Sequence, residues 1–333
     1  MIPNYWYPIL SSHTLKPGNP VGITRFGKRM VLWRSADRNR GVTCLPDRCS
    51  HRSALLSRGK IRNGCLECPY HGLRFDPAGR CVLIPANGAD APVPPGFDIA
   101  PVEVREKHGV IWYWYGDSPS SAEVPWLEQA RDEGDRTTAY TMAVDLPFFR
   151  VMENLYDLHH LPFVHRWTIP GAGPRLENYK AEADGDLIRF STSYRYEGPP
   201  SWTRPRFSLS AVGKFPSMVL IEEFPGVQFH AAVTPIDDDR SWIWARYHQA
   251  YVPGWLGGKL LARLIAAYDF GLVFRMQDRP TLQSQLDPAG DLSAYNLFHA
   301  DRAIGLYFGM VRRAMRERHA GASEFAIAAA GRR

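Results

Sequence analysis

The chain has 333 residues, long enough for two domains, and is 45% hydrophobic and 22% charged, an ordinary globular balance that leaves material for a real core. Its net charge of +6 suits an acidic electron-transfer partner or an anionic substrate, or simply an Arg-rich surface, and no basic tract is dense enough to suggest nucleic acid. Five cysteines, Cys44, Cys49, Cys65, Cys68 and Cys81, crowd into 38 residues. An odd cluster of that kind argues against a secreted disulfide framework and for metal chemistry in a reducing compartment.

The N-terminus lacks the basic region and apolar run of a signal peptide. The most apolar helical stretch, residues 255–274, is interrupted by Lys259, Arg263 and Asp269, so no membrane span is expected and the cytoplasm is the expected location. Residues from about 20 to 116 read as short strands with turn punctuation. Residues 29–34 form a strand followed by a polar turn at 37–41, Asp76-Pro77-Ala78-Gly79 has the Pro and Gly positions of a type I turn, and residues 110–115 are a last aromatic strand. This part, residues 1–117, is expected to be a small all-β domain.

Within it, Cys49-Ser50-His51 is followed after sixteen residues by Cys68-Pro69-Tyr70-His71-Gly72. Each loop offers one thiol and one imidazole. A Rieske centre needs two thiolates on one iron and two imidazoles on the other, which such loops can supply together. The cysteine spacings C-x4-C and C-x2-C would also suit a zinc ribbon. Zinc gives no reason for His51 and His71 at those offsets, and the histidines decide for the Rieske reading. Cys44, Cys65 and Cys81 are then expected to be buried structural thiols.

A polar linker is expected over 118–137, then a domain over 138–320, with a frayed tail over 321–333. Residues 148–161 read as a helix, 187–251 as alternating strands, and 260–285 and 300–318 as helices. On the first helix Asn154, Asp157 and His160 step by three and so share one face. Pro162 is expected to bend or end that helix and swing His165 towards His160. Two histidines and a carboxylate make a facial triad for ferrous iron with positions open for oxygen.

Both segments resemble those of the Rieske non-haem iron oxygenases. Cys49-Ser50-His51-Arg52 and Cys68-Pro69-Tyr70-His71-Gly72, followed by Phe75-Asp76 and Gly79, look like the family's cluster loops, with Leu73 where the family often has Trp. Residues 154–165 resemble its mononuclear-iron motif, Asn-x-x-Asp-x-x-His-x4-His. The resemblance covers nearly the whole chain and is nearest the shorter branch that includes vanillate and dicamba demethylases and saxitoxin-tailoring hydroxylases.

The resemblance implies an α+β protein: an all-β [2Fe–2S] domain followed by a catalytic domain with an antiparallel sheet and flanking helices, helix-grip-like. It implies Cys49, His51, Cys68 and His71 as cluster ligands and His160 and His165 as ligands to a mononuclear Fe(II). Asp278 is the implied third ligand, with Asp269 and then Asp287 as alternatives. Asp157 matches the bridging aspartate that links an iron histidine of one subunit to the cluster histidine of its neighbour, Asn154 belongs to the same motif, and His159 lies off it. A cyclic homotrimer follows from that arrangement. The implied activity is O2-dependent hydroxylation or oxidative demethylation, by monooxygenase or dioxygenase chemistry, of a small aromatic or polycyclic molecule.

No Gly-x-Gly-x-x-Gly or P-loop is present, so electrons are expected from a separate NAD(P)H-dependent reductase, directly or through a ferredoxin. Phe148, Phe149, Phe163 and Trp167 flank the iron motif and are expected in the core or along a substrate pocket, and the sheet over residues 207–251 is expected to form the rest of that pocket's wall. The rival readings are a Rieske electron carrier without oxygen chemistry and a zinc-stabilised binding module.

Overall fold

The computed structural model of the protein describes residues 1–34, 41–116, 120–131, 134–169, 172–195, 207–224 and 226–330. Residues 37–40 of the expected turn, and parts of the expected linker and tail, fall outside them. The chain divides into two compact units, Pro3–Val124 with Thr234–Asp238, and Pro125–Val233 with Asp239–Arg333. Among the described residues no helix is long and apolar enough to cross a membrane.

Among the described residues the first unit holds ten strands: β1 (Tyr5–Ser11), β2 (Val21–Arg25), β3 (Lys28–Arg34), β4 (Val42–Pro46), β5 (Lys60–Arg62), β6 (Cys65–Glu67), β7 (Arg74–Phe75), β8 (Cys81–Leu83), β9 (Val104–Lys107) and β10 (Val110–Tyr115). They form three small sheets in the orders β1-β10-β9, β2-β3-β4 and β5-β6-β7-β8. Aromatic and β-branched residues suit the pleat, and β1 and β10 pair Tyr5 with Tyr115 and Tyr7 with Tyr113. The turn at Asp76 forms as its sequence suggests: Gly79 N–H reaches Asp76 O at 2.9 Å, and Asp76 Oδ1 accepts from the N–H groups of Ala78 and Arg80, each at 2.9 Å. Gly79 has φ +80°, and a Cβ there would lie 1.9 Å from Ile99 O, so only glycine fits.

The second unit is built on β11 (Thr137–Val144), α1 (Phe148–Tyr156), α2 (Leu161–Val164), β12 (Arg175–Asp184), β13 (Leu187–Arg195), β14 (Phe207–Lys214), β15 (Met218–Phe224), β16 (Val227–Pro235) and β17 (Ser241–Gln249). Its seven strands run β11-β17-β16-β15-β14-β13-β12 in one sheet. After it come α3 (Gly258–Tyr268), a π-helix (Asp269–Asp278), α4 (Arg279–Gln283) and α5 (Arg302–Ala330). α3 packs on β11 and β17, and α5 on β12 and β13. The fold is α+β, with sheet and helices segregated as expected.

Three local expectations are corrected. β16 and β17 are buried almost throughout rather than on alternate residues, because they sit at positions two and three of a covered sheet. α5 continues to Ala330 where a frayed tail was expected from residue 321, in keeping with the Ala-rich composition there. The expected helix over 148–161 is two helices: α1 stops at Tyr156, and Asp157 is extended at φ −93°, ψ 116°.

Candidate metal centres

In the first unit Cys49 and Cys68 open two turns built alike. Cys49 N–H donates to Ala54 O at 2.9 Å and Ser53 N–H to Cys49 O at 2.9 Å. Cys68 N–H donates to Leu73 O at 2.8 Å and Gly72 N–H to Cys68 O at 3.1 Å. The fourth residue after each cysteine, Ser53 (φ 61°) and Gly72 (φ 73°), is left-handed, which lets each chain double back on itself. The two turns bring the His51 and His71 rings to 4.7 Å between centroids, at 60°.

Both thiols are buried in one core with Val31, Trp33, Leu45 and Leu73, while both imidazoles are exposed. Burial pushes the Cys49 thiol up to about 11, and the N–H groups of His51 and Arg52, which donate to its sulfur, pull the other way. Two buried sulfurs and two solvent-facing imidazoles from paired turns fit a cluster of mixed ligation, with the nitrogen side open for electron exchange. Cys44 and Cys81 are buried thiols as expected, but Cys65, on the short strand β6, is only half-buried.

In the second unit the helix break places the iron motif. Asp157 Oδ1 accepts the His159 N–H at 2.7 Å, a local side-chain bond that competes with the helix and ends it. Tyr194 Oη donates to Leu158 O at 2.7 Å and holds the following turn. Gly213 on β14 leaves room for the end of α1, since a Cβ there would lie 2.0 Å from the Tyr156 hydroxyl oxygen. Pro162 does not end a helix but starts one: it stands in the first turn of α2, with His160 before that helix and His165 after it. The two imidazoles, 5.1 Å apart between centroids and at 72°, therefore flank a single helical turn rather than a bent helix.

These rings meet Asp278, the last residue of the π-helix. His160 Nε2 lies 3.4 Å and His165 Nε2 3.2 Å from Asp278 Oδ1. One ligand atom from each of the three falls within 4.8 Å of the others. Asn154 Nδ2 donates to the same Asp278 oxygen at 3.3 Å. His165 Nδ1 donates to Gln277 Oε1 at 2.8 Å, and Thr168 Oγ1 donates to that oxygen at 2.9 Å. The amide oxygen thus holds the proton on Nδ1 and leaves the Nε2 lone pair available to a metal.

His160 Nδ1 lies 3.6 Å from Asp157 Oδ2. Burial pulls the His160 pKa down, but Asp157 and Asp278 more than offset it and the net shift is upward. Burial raises Asp157, and His160 with the His159 N–H brings it below the usual carboxylate range. Two nitrogens and one carboxylate, with His165 and Asp278 held by hydrogen bonds from outside and Asp157 facing His160, are a donor set that fits ferrous iron with open positions.

Of the alternative acids, Asp269 does not join this group. Its carboxylate accepts a short hydrogen bond from Tyr247, and burial, with the nearby Asp278 charge, holds it up to about 6. Asp287 offers its backbone carbonyl to Arg150 at 2.6 Å. His159 stands apart too, between the Phe163 and Phe298 rings and 3.2 Å from Pro174 O.

Asn154, Asp157, His160 and Asp278 line two cavities. One is lined also by His165 and Asp269 and otherwise walled by apolar side chains, among them Leu158, Leu209, Ile221, Phe229, Phe270 and Phe274. The aromatics singled out from sequence do not form that wall. Phe148 is buried in the core, Phe149 packs against Phe308, and Phe163 and Trp167 are 58% and 80% exposed. The wall comes instead from the sheet over residues 207–251, as expected from sequence, together with α1 and the π-helix, which sequence reasoning did not place there. Gln277 was missed as well, although its place beside Asp278 was a signal.

Residues 5–102 match the Rieske [2Fe-2S] domain family. The chain is 36% identical over 189 residues to the oxygenase component of dicamba O-demethylase from Stenotrophomonas maltophilia, covering 55% of this chain and 54% of that one. It is 35% identical over 171 residues to aminopyrrolnitrin oxygenase PrnD from Pseudomonas fluorescens (49% and 46%). It is 36% identical over 165 residues to the chloroplastic protein TIC 55 of Pisum sativum (49% and 30%). The matched stretches span from under a third to about half of these curated relatives. Among solved structures, dicamba monooxygenase bound to dicamba superposes with a TM-score of 0.77 at 22% identity, over 96% of this chain and 99% of that one. NdmA of Pseudomonas putida CBB5 gives 0.73 at 21%, over 96% and 92%.

Proposed function

We propose that the chain, which carries a Rieske domain and shares the fold of dicamba monooxygenase, belongs among the Rieske non-haem iron oxygenases and acts as the oxygenase component of a multi-component system. In this reading it takes electrons from a separate NAD(P)H-dependent reductase or a ferredoxin. It uses O2 to hydroxylate or oxidatively demethylate a small, largely apolar molecule. Bound at the two centres, a [2Fe–2S] cluster supplies one-electron transfer and a ferrous iron supplies oxygen activation.

The observation that carries the proposal is the convergence of His160 Nε2 and His165 Nε2 on Asp278 Oδ1, at 3.4 and 3.2 Å, beside an apolar cavity. An electron carrier has no use for that constellation. Gln277 fixes the ring of His165 by a hydrogen bond, and the Asp157 carboxylate faces His160 Nδ1 at 3.6 Å. The apolar wall from Leu158 to Phe274 excludes water and offers an aromatic or aliphatic body a place next to the iron ligands. Cys49, His51, Cys68 and His71 hold the cluster, with His71 exposed as the exit for electrons.

Asp157 and His160 line one cavity together with Leu297 and Asp301. On the family resemblance Asp157 bridges to the partner subunit's His71 in a cyclic homotrimer, so light scattering at three times the chain mass is the expected result.

The test is composition. Protein purified without oxygen should hold about three irons and two acid-labile sulfides per chain and give a Rieske-type EPR signal on reduction. About two irons to two sulfides, with no further uptake of added ferrous iron, would favour the carrier. Zinc without sulfide would overturn both metal assignments. Product analysis under labelled oxygen then separates insertion from desaturation.

A further inference from the structure

The apolar cavity at the iron ligands does not end there. Ile169 and Asp269 line it, and the same two residues line a second cavity of about 400 Å³, walled by Val227, Leu264, Ile265, Tyr268 and Val273. A space of that size accommodates a ring compound. Ile169 is set at the junction by its N–H bond to His165 O at 2.7 Å, one residue past Thr168, which braces Gln277.

Asp269 is at the junction because of the π winding. Nine residues separate it from Asp278, about two and a half turns of an α-helix, which would set the two acids on opposite sides. In the wider π-helix they complete close to two turns, and both face the inner cavity.

We infer that the two cavities are one substrate path, and that Asp269, braced by Tyr247, recognises a hydrogen-bond donor, best a protonated amine, on an otherwise apolar substrate. This rests on the oxygenase reading and specifies its substrate class. The other polar groups of the inner cavity, Asn154, Asp157, His160, His165 and Asp278, belong to the metal centre by the contacts above. Asp269 takes no part in that constellation, and the bond from Tyr247 fills one of the several acceptor sites a carboxylate offers. A buried carboxylate among largely apolar walls is costly, and an incoming ammonium group relieves that cost where an alkyl group of the same size does not.

The test uses two probes of matched shape, 4-methoxybenzylamine and 4-ethylanisole, titrated by calorimetry into iron-loaded protein. The amine should bind at least tenfold more tightly. Asp269→Asn keeps the size and the Tyr247 contact and should reduce the preference to twofold or less. Tyr247→Phe leaves the carboxylate in place and should retain it.

Equal affinity for both probes, no binding of the amine, or an unchanged preference in Asp269→Asn overturns the inference. Iron per chain is measured on the same samples. Wild-type protein that takes up no mononuclear iron defeats the oxygenase reading, whereas normal iron without amine preference defeats this inference alone.

Discussion

Gln277 Oε1 accepts the Nδ1–H of His165 at 2.8 Å, and Nε2 of the same ring points to Asp278 Oδ1 at 3.2 Å. Neighbours in sequence on the π-helix thus hold the two ends of one imidazole. Gln277→Leu keeps the bulk and removes the acceptor, so the ring loses its fixed tautomer and orientation. Iron affinity should fall about 10- to 100-fold, with cluster absorbance unchanged. Gln277→Glu keeps an acceptor at that place and should restore most of the affinity. Equal iron uptake by Gln277→Leu and wild type would show that the hydrogen bond is incidental.

Asp157 has two duties that one substitution can separate. Its Oδ1 caps the His159 N–H and its Oδ2 faces His160 Nδ1. Asp157→Asn can still accept from His159, so the helix break and the iron content should persist within about twofold. The amide no longer offers a charge to His160, and O2-dependent turnover with a reductase should fall by at least about tenfold. Iron loss equal to that of His160→Ala would instead assign Asp157 to holding the metal site together.

The cluster loops were legible because their chemistry is local: each Cys–His pair lies within four residues, and a left-handed residue closes each turn. The iron motif was legible in content but not in shape. A helical step of three predicted a common face for Asn154, Asp157 and His160, yet the Asp157 side chain takes a backbone N–H that a continuing helix would need. Pro162, expected to bend or end the helix, stands instead in the first turn of α2. The parts beyond reach, Gln277 against His165 and Phe229 against Phe270, depend on how a seven-stranded sheet and a π-helix pack, and residues 112 and 41 positions apart give no periodic sign of that.

The first unit carries its own acid-sensitive clamp. Arg34 on β3 and Glu106 on β9 make two parallel hydrogen bonds, Nη1 to Oε2 at 2.7 Å and Nη2 to Oε1 at 2.6 Å. The guanidinium holds Glu106 below the usual carboxylate range, with burial opposing. A carboxylate lowered on folding stabilises above its unfolded pKa of about 4.3 and loses that contribution as pH falls through the lowered folded value. Both groups are partly exposed, so the contribution is screened to about 0.5–1 kcal/mol. Glu106→Gln should cost that much at pH 7 and almost nothing at pH 3. Urea unfolding of the full chain, followed by cluster absorbance, reads the difference, and a gap that widens towards acid would contradict the assignment.

Arg150 and Glu153, both buried on α1, pin the segment that passes the metal cavity. Arg150 Nη1 donates to Glu153 Oε2 at 2.7 Å and to Tyr295 Oη at 2.8 Å, and Nη2 donates to Asp287 O at 2.6 Å. Glu153 Oε1 accepts the Gly290 N–H at 2.8 Å. Tyr295 in turn lines the cavity with His160 and Asp278. Glu153→Ala leaves Arg150 buried without its charge partner and strips the Gly290 N–H, and should cost about 3–5 kcal/mol in chemical denaturation. Replacing both residues, Arg150→Met with Glu153→Leu, removes the unpaired charge and should recover most of that stability. The double variant still lacks the anchor for Asp287 and Tyr295, so faster proteolysis between residues 287 and 295 is expected despite restored global stability. Recovery of stability together with full protection of that segment would show that the pair serves the core and not the segment beside the metal.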